Sequence, residues 1–71
     1  MNTAQAEALS CTIGRCAAGW ANIVDAQLCV TLAEDLPEHG ARLFDAANAI
    51  FDGDHARAAQ LLGDLSCNSA A

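Results

Sequence analysis

The sequence predicts an all-α protein: a small three-helix unit with one long N-terminal helix and a short helical hairpin, completed by dimerisation. Three observations carry this expectation. From Leu9 to Leu36 apolar residues recur at three- and four-residue steps with no proline between them, alanine is the commonest residue, and no stretch alternates apolar and polar side chains as a strand would. At 71 residues the chain is read as a single domain, 1–71, and one so short buries only about 60% of its unfolded surface. Alanine favours helix but buries little area per residue. Good helices over a thin core therefore predict a homodimer.

The first helix is expected over residues 3–34. Asn2 or Thr3 can cap it, with Gln5 reaching back to complete a capping box. Leu9, Ile13, Cys16, Trp20, Ile23 and Val30 fall on one side, interrupted by Gln27, and Ala17, Ala21, Val24, Leu28 and Leu32 form a second row beside them. Leu9, Ile13, Cys16, Trp20, Ile23 and Val24 are accordingly assigned to the core or dimer interface. Gly14 and Gly19 each cost roughly 1 kcal/mol in a helix interior, so a helix bent or broken between them is the alternative. Gly14 and Ala18, away from Trp20, offer a small-residue strip that would admit another backbone.

Pro37 ends this helix by excluding helical geometry from the residue before it. A second helix, 36–52, comes next, with Asp35 and Glu38 as its reciprocal cap and Pro37 in its first turn. Leu43, Ala46, Ala47, Ile50 and Phe51 make its apolar face, closed at the start by Leu36 or Phe44. Asp52 and Gly53 stop it through a left-handed glycine. Asp54 then caps a third helix, 54–66, whose apolar face is Ala58, Leu61, Leu62 and Leu65, and residues 67–71 are expected to form a flexible tail.

Around this turn, Ala46, Gly53, Asp54, Ala58 and Leu62 stand at the spacing of a tetratricopeptide unit, and the segment AANAIFDGDHARAAQLLGDL resembles the turn and second helix of that family. Arg42 and Ala49 stand where the family has aromatic residues on the first helix. The resemblance covers about a third of the chain; it implies helical-hairpin geometry and suggests protein binding.

Nine acidic residues against three basic ones, none of them lysine, give a net charge of -6. Direct nucleic-acid binding and an anionic membrane surface are disfavoured, since both depend on cationic contacts. Residues 1–5 lack a cationic leader region and no apolar run reaches the ~18 residues of a membrane span, so the expected location is cytoplasmic. Between Glu34 and Asp54 there are six acids and one cation, Arg42. Glu38, Asp45 and Asp52 fall near one another and are assigned as a partner-binding acidic face, with a solubilising surface as the plain alternative.

Of the four cysteines, Cys11, Cys16, Cys29 and Cys67, neither Cys11 with Cys16 nor Cys11 with Cys29 can pair within an unbroken helix; if the first helix breaks, Cys11 with Cys29 is the disulfide to seek, and otherwise Cys16 and Cys29 are small core residues and Cys11 and Cys67 free thiols. No closely spaced ligand pair suggests zinc, and His39 and His55 are isolated at helix starts, so no metal or cofactor is expected. Ser10, Ser66, Asp25 and the histidines form no catalytic constellation. The third helix offers Asp54, His55, Arg57, Gln60 and Asp64, a poor set for a DNA recognition helix. The sequence thus points to a non-enzymatic, acidic interaction module that inhibits, sequesters or chaperones a partner protein, an inhibitor or adaptor in type. Its alternatives are a nucleic-acid mimic of the kind phages direct at host nucleic-acid-binding machinery, and a thiol-based redox sensor.

Overall fold

Asn2 opens α1 (Thr3–Ala18): its side chain accepts from the Gln5 amide at 2.8 Å, and the Gln5 side chain accepts from the Asn2 amide at 2.9 Å. In this computed structural model the backbone is described for residues 2–70 and side chains for residues 2–65. The helix stops at Gly19, which turns left-handed (φ 82°) and donates to the carbonyls of Arg15 and Cys16. A second helix, α2 (Ile23–Asp35), begins just beyond. Asn22 caps it by accepting from the Val24 amide at 2.9 Å, while the Asp25 carboxylate accepts from the Asn22 amide at 3.1 Å. The single helix expected over 3–34 is therefore two. A stop signal at Gly19 and a start signal at Asn22 outweigh an apolar period that runs straight through them.

The second correction is at Pro37. Leu36 donates to the Leu32 carbonyl at 2.7 Å and its side chain turns into the core, so Asp35 is the last residue of α2 rather than a cap for the next helix. Pro37–His39 form one 3-10 turn with proline at its head, and α3 spans Gly40–Phe51 with no side-chain cap. After it, Gly53 (φ 79°) donates to Ile50, and Asp54 donates back to Ala49 at 2.8 Å, which uses up carbonyls the helix end leaves open. Asp54 then accepts from the Arg57 amide at 3.2 Å and starts α4 (His55–Ala70). The last helix continues past Ser66 to Ala70, so the backbone of residues 67–70 is helical and not the flexible tail expected there; no proline or glycine stands among those residues. Met1, Ala71 and the Cys67 side chain lie outside the described residues.

The four helices close into a ring in which α2 packs on α3, α3 on α4 and α4 on α1, while α1 and α2 touch only slightly. Leu9, Cys16, Cys29, Leu43, Leu62 and Leu65 fill the centre, with Ala26, Ala46 and Ala58 where helices approach. The Cα radius of gyration is 10.5 Å, against about 11 Å for a folded chain of this length. Folding α1 back from α2 lets the chain cover its own stripe. A long uncovered helix is thus no longer a reason for dimerisation.

Candidate functional site

The core contains no aromatic side chain. The chain's three aromatic residues, Trp20, Phe44 and Phe51, are all exposed, together with Ile23 and Val24. Leu9 and Cys16 are buried as assigned from the sequence and Ile13 is half-buried, but Trp20, Ile23 and Val24 are not core: Trp20 is 64% exposed. The break at Gly19 explains this, since Trp20 lies in the connecting turn and the first residues of α2 begin a new helical phase.

Phe44 and Phe51 are exposed on α3, beside its covered face. Gly40 at the head of that face meets α2, where a Cβ on it would make ordinary contact, 3.7 Å, with the Ala33 carbonyl oxygen. At about 100° per residue, Phe44, Ala47 and Phe51 fall within about 40° of Gly40 on α3, and Ala26, Val30 and Ile23 within about 80° of Ala33 on α2. The small residues of these two sets are buried, whereas Phe44, Phe51 and Ile23 are exposed and Val30 is half-buried. The short turn sends α3 back along α2, so Phe51 comes level with the start of α2. Trp20 in the α1–α2 turn, Ile23 at the start of α2, and Phe51 and Phe44 on α3 are thus large apolar side chains left exposed, and the reversal of the chain brings Ile23 and Phe51 to the same end of the α2–α3 pair. Val24 lies further round α2.

The α1–α2 turn is held by a polar clasp whose centre, Asp25 and Thr12, is buried. Asp25, 1% exposed, accepts from the Thr12 hydroxyl at 3.1 Å, from Arg15 Nε at 2.8 and 3.0 Å, from Arg15 Nη2, and from the Asn22 amide. The Arg15 guanidinium, followed by the Asn22 and Thr12 donors, holds the Asp25 carboxyl below its ordinary range against the opposing effect of burial. Arg15 is raised in turn, chiefly by its bond to Asp25. With α1 and α2 otherwise barely in contact, this clasp is the side-chain link between them. Sequence reasoning passed over it. The available signal was Asn22 three residues before Asp25, shortly after a glycine, which is a capping-box pattern.

Glu38, Asp45 and Asp52 are exposed, but only Asp45 lies within α3: Glu38 is in the 3-10 turn before it and Asp52 is the residue that ends it. Their surface is not purely acidic. Glu38 and Asp45 border a shallow depression of about 340 Å³ that Arg42 and His39 also line, and Arg42 donates to Asp64 at 3.4 Å. Asp52 lies beyond this depression.

Cys11, Cys16 and Cys29 are free thiols, so the Cys11–Cys29 pairing that a broken helix would have allowed is not formed; Cys11 stays at the surface while Cys29 is fully buried. Burial pushes the Cys16 thiol up and the Cys29 thiol up to about 12. Both are therefore protonated core residues rather than nucleophiles. Among the described residues no three His, Cys, Asp or Glu side chains cluster as a metal would require, and no helix is long and apolar enough to cross a membrane. No protein-family model, curated protein or solved structure matches the chain. The helical hairpin of α3 and α4, with Ala46, Ala58 and Leu62 buried in it, accordingly stands on its own geometry.

Proposed function

We propose that the chain is a non-enzymatic interaction module that binds and modulates a partner protein through the exposed side chains of Trp20, Ile23, Phe44 and Phe51, acting as a homodimer. The supporting observation is the inversion of aromatic residues: a protein that builds its core from leucine, alanine and cysteine and keeps every aromatic side chain outside has its interface material on the surface. Tryptophan and phenylalanine are enriched at the desolvated centre of interfaces, and exposed apolar patches mark them. The test is a double variant, Phe44→Ser with Phe51→Ser. It should keep the helical circular dichroism of the parent and lose capture of partner protein from a lysate of the source cell, whereas capture by the parent should persist at high salt. Retained capture by the variant would refute this reading.

The exposed row Glu38, Asp45 and Asp52 favours a second reading, in which an acidic flank imitates the charge of nucleic acid and occupies a basic groove. It predicts binding that weakens steeply with salt, because such association is steered by charge. Arg42 and His39, set beside two of the three acids, weaken that field.

A further inference from the structure

The α1–α2 turn has the properties of a hinge. Helix α1 packs on α4 and hardly on α2, so its main contact is with an element at the other end of the chain. Residues 19–22 connect the two, contain no proline, and depend for their turn on one left-handed glycine. The apolar row on α1 also continues in phase across this turn into α2, as Leu9, Ile13, Cys16, Trp20 and Ile23 are spaced by three and four.

We propose that α1 exchanges between two copies of this chain, with residues 19–22 turning helical and α1 of each copy docking on α4 of the other. With Gly19 in right-handed geometry, α1 and α2 merge into one helix over residues 3–35. At 1.5 Å per residue this helix is about 50 Å long, while the closed chain measures 27 Å along its longest axis. Helix α1 can then no longer reach its own α4, and a second copy supplies the equivalent site. The exchange is reciprocal and closes on itself, as two-fold swaps do. The clasp survives it: Thr12 and Arg15 of one copy meet Asp25 of the other. The capping box at Asn22 is lost, and four helical residues per chain replace it. Trp20, exposed in the closed hinge, comes to lie where the two joined helices pass each other.

This inference does not depend on the exposed apolar side chains as a partner surface. Its test is Gly19→Ala. An alanine at φ 82° is strained in the closed form and at ease in the continuous helix, and the strain is relieved in both chains, so dimer dissociation should become about 30-fold weaker or more. The variant, refolded as an equal mixture of isotope-labelled and unlabelled protein, should sediment as a dimer and give filtered nuclear Overhauser contacts between α1 of one chain and α4 of the other. A monomer at millimolar concentration would overturn the inference. So would an unfolded variant, because the swapped state requires residue 19 to be helical. A dimer whose α1–α4 contacts all stay within one chain would also overturn it, while leaving self-association through the exposed aromatic side chains intact.

Discussion

Removing the Asp25 carboxylate takes the acceptor from three donors at once, the Thr12 hydroxyl, the Arg15 guanidinium and the Asn22 amide, and of these the Thr12 hydroxyl is buried. Asp25→Ala is expected to destabilise the fold by roughly 2–3 kcal/mol, the range for leaving buried hydrogen-bonding groups unmade, measured by urea unfolding at neutral pH. The pH dependence is set by the direction of its shift. Since the folded carboxyl lies below its unfolded value of about 3.9, its contribution is complete above that pH and is lost as pH falls through the folded value. Asp25→Asn should therefore remove part of the acid sensitivity of the parent below about pH 4, and an unchanged acid limb would contradict the clasp. Cysteine reactivity offers a second check at this scale. Cys11 should be alkylated in the native protein while Cys16 and Cys29 react only on unfolding, which mass spectrometry of peptides after timed alkylation reads directly.

At the scale of the helix, legibility in the sequence depended on whether a signal was local. The Asn2–Gln5 box, the Gly53 stop and the Asp54 cap are each complete within four residues, and each stands in the fold as its residues predict. The break after Ala18 was visible only as two costly glycines, because the apolar spacing argues for continuity and the decisive Asn22–Asp25 box lies within that spacing. Phe44 and Phe51 were illegible for a longer-range reason. Their period places them beside the core face of α3, and helical spacing alone does not say which residues on that side the other helices cover. The contact of Gly40 with α2 can be tested directly. At 3.7 Å from the Ala33 oxygen, a methyl group on Gly40 makes ordinary contact, so Gly40→Ala should raise stability by up to about 1 kcal/mol through helix propensity. A loss of stability would mean the seam is tighter than this.

For the molecule as a whole, all-helical architecture and a leucine–alanine core were readable from composition and period, since Leu9, Cys16, Leu43, Ala58, Leu62 and Leu65 are buried as their spacing predicts. The surface was not, because composition cannot say which large residues a small core leaves over. Charge gives one test at this scale. Neutralising Glu38, Asp45 and Asp52 as Gln and Asn should leave the fold intact, as exposed charges contribute little to stability. It should slow association and flatten its salt dependence only if the acidic flank steers a basic target, and stopped-flow mixing at two ionic strengths separates the cases. The aromatic-free core also has an optical consequence. With no tyrosine and its single indole 64% exposed, the protein should emit in the folded state much as it does unfolded, so a melt monitored by fluorescence runs nearly flat while the helical circular dichroism collapses. The same indole is then a built-in dye for occupancy, blue-shifting only when something covers it.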